Sequence, residues 1–178
     1  AAPDPSIHTT CPSLRCMNRC FFSLAAALVL LCAPPAHAAT NIVTTLADSG
    51  PGSLRAALAD ALPGDAITFA TNGTLTLTSG ELVITKDLSI YGPGRTNLAI
   101  SGNGSSRVLR IDGATVRLLD LTVRDGRTRS GTNGHFFSPP PYNNGEPSSP
   151  GGGIFNSGSL SLLNCALINN GTGHGGRG

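Results

Sequence analysis

The chain has no tryptophan, its aromatic residues amount to 4% and its charged residues to 12%. A core built around large rings is therefore excluded. What core there is must come from leucine, isoleucine and valine, at positions that many short elements can share. Charge of either sign is scarce as well: the net charge is +2 and no basic run occurs, which argues against a nucleic-acid partner. Long hydrophobic runs are missing with one exception. Phe21 to Cys32 is an apolar stretch of about a dozen residues, too short to cross a bilayer comfortably.

That exception has a context. Met17-Asn18-Arg19-Cys20 gives it a short basic start, and Ala36-His37-Ala38 follows it with the small-x-small pattern of a signal-peptidase site. Residues 17–38 read as a secretory signal peptide cleaved after Ala38, a buried core helix being the competing reading. Residues 1–16 precede the expected start methionine and read as translated upstream sequence or a mis-called start. The signal implies export, to the extracellular space, the cell surface or an outer membrane. Cys11, Cys16, Cys20 and Cys32 lie before the cleavage point, so the mature chain keeps Cys165 alone and cannot close an internal disulfide. Its stability must rest on backbone hydrogen bonds and apolar packing.

Glycine and alternation are what the chain has in quantity. One amphipathic helix is predicted over Ser53–Leu62, with Leu54, Ala57, Leu58, Ala61 and Leu62 on one stripe, Ser53 as its cap and Pro63-Gly64 as its stop. Short runs of period two are predicted as strands: Asn41–Thr45, then 66–70, 74–78, 82–84, 88–90, 98–100, 109–111, 116–118, 121–123, Ile154-Phe155, 160–162 and 165–167. Three-residue strands suit neither a sandwich nor an open sheet. Aligned as repeats, "NLAISGN" from Asn97, "DLTVRDG" from Asp120 and "NCALINN" from Asn164 share an Asn or Asp followed by apolar–x–apolar. The period is roughly 22–28 residues, within the range of solenoid units. A 24-residue insertion, Arg127 to Pro150, interrupts it.

Such a pattern predicts a coiled chain whose strands lie parallel on their counterparts one turn away. Leu98, Ile100, Leu121, Val123, Cys165 and Leu167 would point inward, and Asp120, Thr122 and Arg124 outward. Asn97, Asp120 and Asn164 would stack at a corner as a hydrogen-bonded ladder. Residues 39–65, a strand and the helix, would cap one end, and residues 66–178 would form the coils. The stop at "GTGHGGRG", where another glycine-led unit is due, is read as truncation at the C-terminus.

Two segments resemble a known family. "TLADSGPGSLRAALADALPGDAITF" (45–69) is similar to the N-terminal cap segment of secreted bacterial right-handed parallel β-helix proteins, and the "GGGI-N-G-L-L-N" unit at 151–164 resembles their glycine-rich repeats, which are also similar to those of polymorphic outer membrane proteins. The resemblance implies an all-β, right-handed parallel β-helix solenoid of the pectate-lyase-like class with a short N-terminal capping helix, and a surface-associated or secreted protein. Phe155 is followed directly by Asn156, so the "FxxN" element of the latter group is not intact.

Chemistry is thinly signposted. Gly173-His174-Gly175 is the sharpest enzymatic hint, since a Gly-His-Gly turn occurs in β-helix polygalacturonases, but no paired-carboxylate motif accompanies it and a plain glycine-rich turn explains it. Calcium-dependent lyase chemistry would need stacked acids, and the stacked positions carry Asn, Ala and Ser. No catalytic residue, cofactor or metal is expected. The insertion is the candidate contact region, with Arg127, Arg129, His135, Phe136, Phe137 and Tyr142 able to stack on or bond to sugar rings; a mobile loop with no partner is the alternative. The expected function is an exported scaffold, adhesin-like or carbohydrate-contacting, with no transmembrane helix in the mature chain. The alternative is a polysaccharide lyase or glycoside hydrolase whose active site lies mostly outside this sequence.

Overall fold

A computed structural model describes residues 38–131 and 148–175. Twelve strands and one helix occur among them, and every strand pairing is parallel. The strands are β1 (Thr40–Val43), β2 (Ala66–Phe69), β3 (Gly73–Thr76), β4 (Leu82–Ile84), β5 (Leu88–Tyr91), β6 (Leu98–Ser101), β7 (Leu109–Ile111), β8 (Thr115–Leu119), β9 (Thr122–Arg124), β10 (Ile154–Asn156), β11 (Ser159–Leu163) and β12 (Ala166–Ile168). Each alternating run of the sequence becomes a strand to within a residue or two.

The strands sort into three sheets, ordered β1-β2-β5-β8-β11, β3-β6-β9-β12 and β4-β7-β10. From β2 onward the chain visits the first, second and third sheet in turn and then begins again. Register follows the apolar pattern. Ile67, Ile90 and Leu118 align in the first sheet, Leu75, Ile100 and Val123 in the second, and Ile84 with Ile111 in the third. All of these are buried and belong to one core. Cys165, the single cysteine among the described residues, is free, so among these residues the columns carry the stability, at about 1.5–3 kcal/mol for each fully buried aliphatic side chain. A slip of one residue would turn every column to solvent, so period two fixes the register.

The helix, α1, spans Leu54–Asp60. The Ser53 Oγ accepts from the Ala56 amide at 3.2 Å and donates to the Gly50 carbonyl at 2.7 Å. Leu54, Ala57, Leu58 and Ala61 join the same core as the columns. The predicted helix ran on to Leu62, but the structure ends it at Asp60. Lys86 Nζ donates to the carbonyls of Leu58, Ala59 and Ala61 at 3.3, 2.7 and 2.7 Å, and the Leu62 amide turns to Asp65 Oδ2 at 2.8 Å. Pro63 disfavours helical backbone at Leu62, whose side chain is accordingly 67% exposed rather than part of the stripe.

Asp48 ties this region to the first circuit of the sheets. Its carboxylate accepts from Arg55 Nη2 at 2.8 Å, the amides of Thr78 and Ser79 at 3.1 and 2.7 Å, and both hydroxyls of those residues. Arg55 in turn donates to the carbonyls of Gly80 and Glu81. At the other end of the stack the columns continue into partly or fully exposed positions. Leu162 lies over Leu118 and is 40% exposed, and Leu167 lies over Val123 and is 51% exposed. Leu167, expected inside, therefore faces solvent for want of a further layer among the described residues.

Candidate functional site

Two features of the surface have the chemistry to do more than hold the fold: the corners between sheets and a cleft beside the third sheet. The corner after the first sheet carries Asn97, Asp120 and Asn164, one residue before the aligned segments of the second sheet. Asp120 and Asn164 both adopt left-handed backbone, at φ 56° and 50°, which Asn and Asp tolerate better than other side-chain-bearing residues. The Asn164 side-chain amide donates to the Asp120 carboxylate. Asn97 occupies the matching position but turns away: its Nδ2 donates to the Pro93 carbonyl at 3.0 Å, within its own turn.

A second corner, after the second sheet, repeats the device. Asp125 and Asn169 are left-handed at φ 52° and 54°, and Asn169 Nδ2 donates to Asp125 Oδ1 at 2.8 Å. Arg124 Nε donates to the same carboxylate at 2.6 Å, and this bond first, with Asn169 next, holds the Asp125 carboxyl below the usual carboxylate range. Asn170 completes the corner, accepting from the Gly126 amide at 2.8 Å and donating to the Val123 carbonyl at 3.0 Å. These bonds satisfy backbone and side-chain groups within the fold. They leave the corner carboxylates of Asp120 and Asp125 engaged in hydrogen bonds to the next layer.

One outward-facing residue of the second sheet, Thr122, is less exposed than alternation predicts. Thr122 points away from the core, yet it is 5% exposed, because the turn before β6 folds over it and the Arg95 carbonyl accepts from its Oγ1 at 2.7 Å. Cys165, expected to be fully inside, is half-buried against the core, with its Sγ 3.3 Å from the Leu118 carbonyl.

The cleft has a volume of about 550 Å³ and is lined by Glu81, Arg107, Arg110, Arg127, Arg129 and Phe155 among others. Four of the chain's twelve basic residues thus meet at one place. Strand β7 and the turn before it supply Arg107 and Arg110, and the segment after β9 supplies Arg127 and Arg129. On the third sheet's outer face, Val83, Arg110 and Phe155 align across β4, β7 and β10. Arg107 stands 5.1 Å from the Phe155 ring centroid, at cation–π distance. It also donates to Glu81 Oε2 at 2.6 Å and to the carbonyls of Gly151 and Pro150 at 2.8 and 2.7 Å. Arg110 pairs with Asp112 at 2.9 Å and, more loosely, with Glu81 at 3.9 Å. The Asp112 carboxylate, by its hydrogen bond and its charge, raises the Arg110 pKa above the ordinary guanidinium value. Arg127 and Arg129 are exposed, and no acidic partner for them occurs among the described residues.

No family model, no curated protein and no solved structure matches this chain. The geometry therefore stands alone in assigning a role.

Of the contact residues predicted in the insertion, Arg127 and Arg129 line the cleft, whereas His135, Phe136, Phe137 and Tyr142 lie outside the described residues. The insertion also leaves the sheets later than the sequence implied. Arg127 bridges to Gly171, Thr128 is buried, and its Oγ1 donates to the Ser149 carbonyl at 2.7 Å. His174 takes part through its backbone: its carbonyl accepts from the Gly131 amide at 2.8 Å and its amide donates to Ser130 Oγ at 3.1 Å. Among the described residues, no group of three or more His, Cys, Asp or Glu gathers to hold a metal ion, and no helix is long and apolar enough to cross a membrane. Sequence reading missed Arg107, Arg110 and Phe155 as site residues. The available signal was the "R-x-x-R" spacing around β7 and the outward position of Phe155 in its strand.

Proposed function

We propose that this chain is a right-handed parallel β-helix with an N-terminal helical cap, exported by its signal peptide, and that it serves as a rigid scaffold contacting carbohydrate through the lateral cleft. What supports the fold reading is the cyclic order in which strands join the three parallel sheets, with matching apolar columns. One observation carries the functional reading: an outer sheet face that aligns Val83, Arg110 and Phe155 beside a cleft lined by four arginines. Strands 4.8 Å apart present such side chains as a repeating track, and extended polymers with repeating rings fit tracks of this kind. Aromatic and arginine side chains are the usual anchors for ligands of mixed polarity. The resemblance to surface-associated β-helix proteins agrees with this use.

A test is to express the full chain from Met17 in a secreting bacterium and sequence the N-terminus of the exported product. A new terminus at Ala39, together with retention of the protein on immobilised polysaccharides, is the expected result. Retention in the cytoplasm with an uncut leader would overturn the export reading, and failure to bind any polysaccharide would overturn the contact reading.

A second reading, a carbohydrate-active enzyme, is favoured by one observation: Glu81 and Asp112 both pair with Arg110 beside the cleft. Glycosidase chemistry needs two carboxyl groups facing each other across a sugar, one of them protonated. Here one guanidinium engages both, so the scaffold reading stands first. Release of reducing ends or unsaturated products from a panel of polysaccharides, abolished by Glu81→Gln, would reverse that order.

A further inference from the structure

The cleft's charge specifies its ligand further than the scaffold reading does. Glu81 is matched by Arg107 and Arg110 by Asp112. That leaves the exposed guanidiniums of Arg127 and Arg129 as the cleft's surplus of positive charge among the described residues. Guanidinium is the side chain best shaped for bidentate contact with planar or tetrahedral oxyanions, and it is more weakly hydrated than ammonium. Beside these charges Phe155 offers a ring. A charged pair and an aromatic surface lining one cleft suit a ligand with rings and oxyanions in alternation.

We propose that the cleft binds an anionic glycan, with Arg127 and Arg129 holding its acidic substituents and Phe155 packing on a sugar ring. This rests on the carbohydrate-contacting reading above. The oxyanion is a carboxylate or a sulfate ester, the two sources that present the same chemistry to guanidinium. A nucleic acid also carries rings and oxyanions, and its binding is one of the outcomes the experiment tests.

The experiment is a calorimetric titration of the full chain with heparin, polygalacturonate, neutral dextran and a single-stranded oligonucleotide, at low and raised salt. Binding of heparin or polygalacturonate, weakening as salt rises, is expected, and which of them binds identifies the oxyanion. The Arg127→Gln/Arg129→Gln variant should bind about tenfold more weakly, the loss of two exposed charge contacts, with an unchanged thermal melt because both side chains are exposed. Phe155→Leu should weaken binding at both salt levels alike. Equal binding of dextran and the anionic glycans would overturn the proposal while leaving the carbohydrate reading intact. Absence of binding to all three glycans would remove both. Tighter binding of the oligonucleotide, or undiminished binding by the double variant, would also overturn the proposal.

Discussion

Substituting Asp48 by asparagine removes one charge and keeps the side chain's shape, at the point where the N-terminal turn, α1 and the segment after β3 are tied together. The side chain is 8% exposed, and its carboxylate accepts from Arg55, Thr78 and Ser79. Hydrogen bonds to a charged group contribute about 1.5–3 kcal/mol each when one partner is lost. Those to a single carboxylate are not additive, and asparagine retains one acceptor, so a total cost of about 2–3 kcal/mol is expected. For a domain of this size that lowers Tm by about 10 °C at neutral pH. The pH dependence is the sharper test. Burial alone would raise the Asp48 pKa, but hydrogen bonds from Ser79, Arg55 and Thr78 outweigh it and hold the carboxyl well below the usual carboxylate range. A depressed carboxyl stabilises the fold above its unfolded pKa, near 4, and that contribution is lost as pH falls toward the folded value. The variant lacks it at every pH. Circular-dichroism melts of the two full chains should therefore differ most near neutrality and converge as pH drops from about 5 to about 2. Asp65 and Asp125, also depressed, give both proteins a shared acid decline that cancels in the comparison. An unchanged Tm at neutral pH, or a gap that persists undiminished into acid, would refute the latch.

Other outcomes test other parts of the structure. Leu58→Asp places a charge at a buried position of α1 and should drive the protein into aggregates, read by light scattering; a soluble variant with an unchanged melt would refute the covering role of the helix. Gly92→Ala sets a Cβ 2.2 Å from the Asp120 carbonyl oxygen, whereas at Gly104, φ +64°, nothing lies within 4 Å. The first change should cost over about 2 kcal/mol by crowding and the second about 1 by backbone strain, an order that chemical denaturation can check. Asn164→Ala should lose about 1–2 kcal/mol, from the strained backbone and the bond to Asp120, and Asn164→Gly should recover the backbone part of it.

Much of this architecture was legible because the signal is local. Period-two runs bounded by Gly, Asn and Asp mark strands one at a time, and the recurrence of Asn97, Asp120 and Asn164 gives the register between them. The register does not say which neighbour a side chain chooses. Asn97 sits in the column but bonds to Pro93, because a proline-containing turn brings a carbonyl closer than the next layer does. The pairing of Asp125 with Asn169 lay hidden behind an interval of 44 residues. The Asp48 latch was illegible for the same reason, its partners Thr78 and Ser79 being 30 and 31 positions away. The cleft combines residues from β7, β10 and the segment after β9, which only the folded chain brings together. Leu62 failed differently: it was assigned by periodicity alone, and Pro63 overrode it. Thr122 points outward as its alternation requires, but the turn at Arg95 covers it.

The spacing of the first sheet has a practical consequence. Leu88 pairs with Val116, 28 positions on, and Thr115 pairs with Ser159, 44 positions on, yet the strands meet in the same alignment. The alignment of the layers does not depend on how much polypeptide runs between Gly131 and Ser149, provided both ends return to their anchors on His174 and Thr128. That junction is a natural port for grafting foreign peptides: a displayed epitope or enzyme-recognition tag of arbitrary length could be carried there without disturbing the layers above and below.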